Sequence, residues 1–265
     1  MTDASAPIGV FDSGVGGLTV VAALERLLPR ESILYLGDTA RLPYGTKSPS
    51  TVLSYSRRNV SFLVERGVKA VVIACNTASA VALDEIDPPV PLWGVLEPGA
   101  WRAASLSGGR VGVIATESTV SSDAYGKALR RLRPGIEVVS CACPLFVPLV
   151  EEGWADDPVA ETIARRYLAP LVRAEVDTLV LGCTHYPLLK GTLTRVLGDG
   201  VALVDSADTV AETVASDLAR RRLVAPASAE PEHHFCVTDA GERFQRIASQ
   251  FLGRDEISLE WVEVT

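Results

Sequence analysis

The stretch from residue 178 to 189 constrains the fold of this chain more than any other. Thr178 to Leu181 is a short apolar run typical of a buried strand, and Gly182 ends it. Cys183 follows, where Thr184 suits a helix cap and Pro187 suits a first helical turn. The pattern predicts strand, tight turn and helix with a thiol at the turn, which is where open α/β sheets bind ligands.

A second stretch repeats this pattern around another cysteine. Val64, Val68 and Cys75 each have an identical residue 108 positions later, and a weaker match relates residues 8–13 to residues 111–116. Chance similarity between units of strand and helix is the alternative explanation. We predict an α/β fold with two similar open-sheet domains that derive from a duplicated unit.

The domain limits follow from one break in the pattern. The segment at residues 97–99 (Glu-Pro-Gly) indicates a crossing point, so we predict a first domain of residues 1–97 plus 207–265 and a second of residues 98–206. One helix is expected from about Thr119 to Leu132. In the tail, we expect a helix over residues 242–252 and a final strand over residues 257–264, without a functional interpretation.

Composition limits the class of protein. The 265 residues are 48% hydrophobic with a formal net charge of −8, which favours a packed globular protein and does not support nucleic-acid binding through a basic surface. No apolar run is long enough for a membrane span, and the N-terminus does not resemble a signal peptide. Five cysteines, an odd number, argue against a secreted disulfide framework. We expect a cytoplasmic protein.

A glycine-rich turn follows the first predicted strand. Asp12 and Ser13 precede Gly14, Gly16 and Gly17, and such turns let backbone N–H groups approach an anion. The turn lacks the lysine of a phosphate-binding loop and the spacing of a dinucleotide site, so phosphate binding is a weak alternative. Tight-turn geometry accounts for the glycines. Asp12, at the tip of the strand, is expected to face the ligand crevice.

The two turn thiols allow several kinds of chemistry. Metal binding is disfavoured because Cys75 and Cys183 have no partner ligands nearby, and a redox pair would more often be Cys-x-x-Cys. Both could be buried structural cysteines, the role that we assign to the remaining cysteines (Cys141, Cys143 and Cys236). Proton transfer has the best local support, because a helix N-terminus can lower a thiol pKa. Two such groups on opposite faces of a carbon acid would invert it without a cofactor.

Neighbouring side chains could assist these thiols. His185 could exchange a proton with Cys183, Asp12 could do so with Cys75, and Glu151 or the adjacent Glu152 could orient His185. A histidine satisfied by backbone at the turn is the alternative. Tyr44 could form a pocket wall. A small carboxylate would suit the hydroxyls and amides at the turns, which are Ser13, Asn76, Thr77, Thr116, Thr119 and Thr184.

These residues, taken together, resemble the glutamate racemases. The resemblance runs from about residue 7 to 222, and its motifs in order are specific as a set. They are Gly9 to Gly17, Gly37-Asp38-Thr39, Pro43-Tyr44-Gly45, Ala74 to Ser79, Glu97-Pro98-Gly99, Cys143-Pro144, Val150-Glu151 and Gly182 to Leu188.

The resemblance implies a cofactor-independent enzyme that supplies D-glutamate for peptidoglycan, with two α/β domains, the active site in the cleft between them, and usually a homodimer. It implies that Cys75 and Cys183 are the two thiols on opposite faces of the substrate. It also implies that Asp12 assists Cys75, that His185 assists Cys183, and that Glu151 supports His185. The implied substrate contacts are Asp12, Ser13, Tyr44, Gly45, Asn76, Thr77, Thr184 and His185, with Thr116 and Thr119 as further candidates.

Two alternatives remain at this stage. An aspartate or hydantoin racemase would share the cysteine pair, because substrate length is not legible from turn residues. A binding or regulatory protein could also keep the fold, and the resemblance allows inhibition of DNA gyrase in some members. The intact pair of Cys75 and Cys183 argues against a purely non-catalytic role.

Overall fold

The computed structural model describes residues 3–239, 241–254 and 257–265, with only the backbone described at residues 242 and 243. Ten strands lie in the described ranges: β1 (Ile8–Asp12), β2 (Ile33–Gly37), β3 (Ala70–Ile73), β4 (Leu92–Gly94), β5 (Arg110–Ala115), β6 (Glu137–Ala142), β7 (Thr178–Gly182), β8 (Ala202–Asp205), β9 (His233–Val237) and β10 (Leu259–Trp261).

Helices connect most of these strands. They are α1 (Leu18–Leu27), α2 (Pro49–Glu65), α3 (Asn76–Ala82), α4 (Leu96–Leu106), α5 (Glu117–Ser121), α6 (Ala124–Leu132), α7 (Phe146–Glu151), α8 (Pro158–Arg173), α9 (Lys190–Leu197), α10 (Ser206–Arg221) and α11 (Glu242–Leu252). Short 3-10 turns occupy Thr39–Arg41, Tyr44–Thr46, Leu83–Glu85 and Tyr186–Leu189. None of the helices in the described ranges is long and apolar enough to cross a bilayer.

The strands form two sheets, and every ladder in both is parallel. The first sheet has the order β10-β9-β2-β1-β3-β4 and the second has the order β6-β5-β7-β8. Central strands such as β1, β3 and β7 are buried along their whole length, as expected for parallel strands covered by helices on both faces. The α/β fold with two parallel sheets is confirmed.

The two sheets repeat one arrangement. Strands β2-β1-β3-β4 correspond in order to β6-β5-β7-β8, so Cys75 and Cys183 follow equivalent strands, β3 and β7. The carboxyl ends of parallel strands lie at one edge of a sheet, and both cysteines therefore lie at such an edge. The numerical limits of the two domains stay a prediction.

Three predicted elements differ from the structure. The helix expected from Thr119 to Leu132 is divided into α5 and α6, because Asp123 has a φ of +52° in the left-handed region, where a helix cannot continue. The final strand is limited to Leu259–Trp261. After Cys183 the chain forms a 3-10 turn before α9, so Thr184 does not cap an α-helix.

A buried ion pair lies at the amino ends of strands β2 and β3 in the first sheet. Lys69, immediately before β3, is fully buried and pairs with Glu31, which precedes β2. Lys69 Nζ also donates to the carbonyl of Ala4 at 2.6 Å, and Glu31 Oε1 accepts from the N–H of Ala225 at 2.8 Å. The pair therefore ties the N-terminal segment and the segment after α10 to the sheet.

We predict that Lys69→Met lowers the free energy of unfolding by about 3–5 kcal/mol, because Glu31 would keep a buried charge without its counter-ion. Urea unfolding followed by circular dichroism measures this change, with Lys127→Met at an exposed lysine as the control. Adding Glu31→Met to Lys69→Met should recover part of the loss. A single variant that unfolds at the wild-type urea concentration would contradict the prediction.

Candidate active site

A cavity of about 290 Å³ lies between the carboxyl ends of the two sheets, a size suited to a small metabolite. Its lining includes eleven of the predicted site residues: Ser13, Tyr44, Gly45, Cys75, Asn76, Thr77, Thr116, Glu151, Cys183, Thr184 and His185. The other two, Asp12 and Thr119, are buried directly behind this lining. The structure thus brings residues from both sheets to one cavity.

Cys75 lies between β3 and α3 and is 6% exposed. Its thiol donates to Ser13 Oγ at 3.6 Å. Burial, reinforced by the carboxylate of Asp12, raises the pKa of Cys75 to about 12 against the opposing N–H of Ala78. The expectation that a helix start lowers the pKa of this thiol is therefore wrong, since desolvation outweighs the helix terminus. Cys75 is a neutral thiol at physiological pH.

Cys183 has a different partner. Its sulfur lies 3.9 Å from Nδ1 of His185, while Nε2 of the same ring lies 3.1 Å from Oε1 of Glu151. Burial lowers the pKa of His185, but the contacts with Cys183 and Glu151 outweigh it and raise that pKa to about 10. His185 is therefore an imidazolium at neutral pH, directly beside the sulfur of Cys183.

Asp12 ends β1 and is 1% exposed. Its Oδ2 accepts from the N–H of Gly14 at 2.9 Å, whereas Oδ1 has no hydrogen-bond partner among the described residues. Burial raises the pKa of Asp12, and the charge of His185 together with turn N–H groups opposes that rise. The carboxylate thus acts electrostatically on groups of both sheets, Cys75 and His185.

Two glycines permit the close approach of chain segments around the cavity. A Cβ on Gly16 would lie 2.2 Å from Oγ1 of Thr184 and 2.5 Å from Nδ1 of His185. A Cβ on Gly45 would lie 2.9 Å from Cβ of Thr116. All three distances are shorter than side-chain packing allows. The glycine at position 16 therefore has a packing role that requires no phosphate.

Hydroxyl groups join the two sheets beside the cavity. Oγ1 of Thr77 lies 3.0 Å from that of Thr116 and 3.3 Å from that of Thr119, and the latter two are 3.1 Å apart. Asn76 Oδ1 accepts from the hydroxyl of Tyr125 at 2.6 Å. Thr77 and Asn76 belong to α3, whereas Thr116 precedes α5, Thr119 lies in α5 and Tyr125 lies in α6. These bonds fix the width of the cavity.

Tyr44 contributes its ring to the wall and its hydroxyl to the interior. The hydroxyl donates to the buried carboxylate of Asp38 and accepts from Nδ2 of Asn59 at 3.1 Å. Thr238, after β9, donates to the same carboxylate at 3.1 Å. The peptide bond between Leu42 and Pro43 just before Tyr44 is cis. Asp38 therefore anchors the loop that carries Tyr44 and Gly45.

Sequence reasoning missed the rest of the lining, which is largely apolar. These residues are Gly14, Val15, Leu42, Pro43, Thr46, Glu117, Pro144, Val147 and Pro148. Apolar wall residues have the same local pattern as core residues, so only the members of the family motifs, Gly14, Val15, Pro43 and Pro144, carried a signal.

Metal and disulfide chemistry were the other options for the thiols. In the part of the chain that the structure describes, no group of three or more His, Cys, Asp or Glu side chains is arranged to hold a metal ion. All five cysteines are free thiols. Cys143 and Cys236 are fully buried and Cys141 is partly exposed, and none of the three lines the cavity.

Comparisons with known proteins extend over almost the whole chain. The Asp/Glu/hydantoin racemase family model matches residues 8–214. A glutamate racemase of Geobacter metallireducens is 55% identical over 249 residues, which are 93% of this chain and 92% of that protein. The crystal structure of glutamate racemase from Francisella tularensis in complex with D-glutamate has a TM-score of 0.93 and 39% identity, with 98% of each chain covered. The crystal structure of a Thermus thermophilus glutamate racemase in complex with β-chloro-D-alanine has a TM-score of 0.88 and 45% identity. The match covers 99% of this chain and 98% of that chain.

We predict that Asp12→Asn speeds the alkylation of Cys75 by iodoacetamide at pH 8. The carboxylate of Asp12 raises the pKa of Cys75, so removing its charge increases the thiolate fraction. Mass spectrometry of the tryptic peptide 70–102, in which Cys75 is the sole cysteine, measures the rate. The peptide with buried Cys236 controls for general opening of the fold. An unchanged or slower rate at Cys75 would contradict the electrostatic role of Asp12.

Proposed function

Because the chain belongs to the Asp/Glu/hydantoin racemase family, we propose that this amino-acid racemase interconverts L- and D-glutamate. The observation that carries the proposal is the pair of thiols, Cys75 and Cys183, at equivalent strand ends of two sheets that share one cavity. Relatives at 55% and 39% identity that are named glutamate racemases support glutamate as the substrate.

The proposed reaction moves one proton in and one proton out at the α-carbon. A thiolate on one side takes the α-proton, which leaves a carbanion, and the thiol on the opposite side donates its proton to the other face of that carbon. The product is the mirror-image amino acid, and the protonation states of Cys75 and Cys183 are exchanged. No bond other than C–H and S–H changes, so the scheme requires no cofactor.

The two thiols have different surroundings. Cys75, with a pKa raised to about 12, is ready to donate its proton, and Cys183 lies beside the imidazolium of His185. When the reaction runs in the other direction, Cys75 must lose its proton, and the raised pKa of Asp12 suits this carboxylate to receive it. We propose that His185, held by Glu151, exchanges a proton with Cys183.

The cavity lining fits a small dicarboxylate without a lysine or arginine side chain. Lining polar groups near the thiols are hydroxyls, an amide and backbone N–H groups, such as those of Ser13, Asn76, Thr77 and Thr184. Hydrogen bonds from several such donors hold a carboxylate without a lysine or arginine. We assign the substrate carboxylates to these groups, with Thr116, Gly45 and Tyr44 completing the wall.

The cellular setting belongs to the same proposal. A mechanism with two free thiols needs a reducing compartment, so we place the enzyme in the cytoplasm. Its D-glutamate is proposed to serve peptidoglycan synthesis, as the resemblance to the glutamate racemases implies. Homodimer formation and an interaction with DNA gyrase stay predictions of that resemblance.

The direct test is incubation of the purified protein with L-glutamate in D₂O without added cofactor. We expect the α-proton signal in the NMR spectrum and the optical rotation to disappear together. Cys75→Ser and Cys183→Ser should each lower the rate by about 10²–10⁴-fold, because each removes one acid–base partner. Cys141→Ser, outside the cavity, is the matched control. Reaction of L-aspartate alone would keep the mechanism and change the substrate, and no reaction with either would favour a binding protein.

We predict that Glu151→Gln lowers kcat by about 10-fold or more and shifts the pH–rate profile to lower pH on its alkaline side. Glu151 helps to raise the pKa of His185 to about 10, so without its charge the imidazolium loses its proton at a lower pH. Glu152→Gln, at the adjacent exposed position, is the control. Equal profiles for the two variants would contradict the assignment of Glu151 to His185.

A further inference from the structure

The tail helix α11 packs one apolar face against the rest of the protein. Phe244, Ile247, Ala248 and Phe251 on this face are all buried in the main hydrophobic cluster. The helix lies beyond residue 214, where the match to the family model ends. No motif in this segment indicates a function, and its contacts are therefore the guide to its role.

Phe251 is the residue of α11 that contacts the candidate site. Its ring centroid lies 5.5 Å from that of His185, with an angle of 81° between the ring planes, an edge-to-face arrangement. Phe251 is 9% exposed and His185 is 7% exposed. Both nitrogens of the imidazole are already directed to other groups, Cys183 and Glu151. The apolar contact with Phe251 therefore adds a third, separate restraint on the ring.

This third restraint matters because the contacts with Cys183 and Glu151 still allow one rotation of the imidazole ring. Contacts at Nδ1 and Nε2 define a line across the imidazole, and the ring can tilt about that line. The contact with Cys183 is also long, at 3.9 Å, so it restrains the ring weakly. A bulky neighbour packed against the ring limits the tilt and keeps water from the imidazolium. Phe251 is placed to supply both effects.

We propose that Phe251 is a positioning residue for the racemase reaction, which holds the imidazole of His185 in the orientation that serves Cys183. The inference rests on the proposed function. Phe251 does not touch the cavity and acts only through His185. The tail helix thereby becomes part of the machinery on the Cys183 side and not on the Cys75 side.

The anchoring of α11 gives this role a rigid base. Arg254, just after the helix, donates to Oε2 of Glu25 on α1 at 2.5 Å. Gly253 ends the helix in the left-handed region at a φ of +63°, and its N–H bonds to the carbonyl of Ser249. Phe244 packs near Gly37 at the end of β2. The helix is thus fixed to the first sheet while Phe251 reaches a histidine of the second.

The test compares Phe251→Leu with Phe244→Leu in the full chain. Both changes remove a buried phenyl ring from the same face of α11, and only Phe251 contacts His185. Phe251→Leu should lower kcat for glutamate by about 10- to 100-fold, because a small misplacement of an acid–base group slows proton transfer steeply. Thermal melting of both variants measures the shared structural effect.

Isotope effects distinguish positioning from packing. With α-deuterated L- and D-glutamate, Phe251→Leu should raise the primary isotope effect for the enantiomer whose deuteron passes to Cys183 and reduce it for the other. The reason is that the impaired step on the Cys183 side becomes rate-limiting. Phe244→Leu should leave the two effects as in the wild type. Symmetric effects in Phe251→Leu, or an unchanged kcat, would overturn the proposal.

A readout without turnover separates this inference from the proposed function. NMR of the ring N–H protons of His185, assigned from His185→Gln, should show the Nε2–H proton, which lies in the 3.1 Å contact with Glu151, exchanging faster with water in Phe251→Leu and at the wild-type rate in Phe244→Leu. A ring that is free to tilt breaks this contact part of the time and admits water. An unchanged exchange rate would overturn the positioning role even if the wild type racemises glutamate. Failure of the wild type to racemise glutamate, with faster exchange in Phe251→Leu, would overturn the function alone.

Discussion

The cavity depends on direct contact between the turn after β1 and the turn after β7. Gly16 lies so close to Thr184 and His185 that no side chain fits between the two turns, and the hydroxyl of Thr19 donates to the carbonyl of Thr184 at 3.0 Å. Parallel strands deliver polar turn residues to one edge of each sheet, but they do not by themselves make the two edges face each other. The contact at Gly16 brings the two turns together at this edge of the cavity.

The duplicated architecture holds two chemically unequal thiols. Cys75 has a hydroxyl as its neighbour and a carboxylate behind it, so burial and negative charge both favour its protonated form. Cys183 has an imidazolium as its neighbour. The equivalent positions after β3 and β7 therefore have different neighbouring charges. Asp12 supplies a negative charge near Cys75, and His185 supplies a positive charge beside Cys183. A reaction that is symmetrical in its products would use an asymmetrical pair.

Much of the fold and of the site could be predicted from the sequence, because both depend on local patterns. Apolar runs that end in glycine or short polar residues predicted the strands and the turn positions of Cys75 and Cys183. The glycine turn, Asn76, Thr77 and Thr184 were recognisable for the same reason. Features that depend on the folded environment were not predictable. The raised pKa of Cys75 results from burial. The break between α5 and α6 results from the left-handed backbone of Asp123, where the sequence has no glycine to indicate it. The contact of Phe251 with His185 joins residues 66 positions apart.

The ring of threonine hydroxyls has a consequence for what the cavity can offer a ligand. Each hydroxyl has a single proton. In a closed cycle through Thr77, Thr116 and Thr119, each hydroxyl donates that proton to the next hydroxyl, so only lone pairs are left to interact with a ligand. An anion that takes a proton from this cycle must open one edge of it, and the longest edge, at 3.3 Å between Thr77 and Thr119, is the weakest. That edge is also a bond between the two halves of the molecule. Binding of an anion and the contact between the two halves are thus linked through the direction in which these hydroxyl protons point.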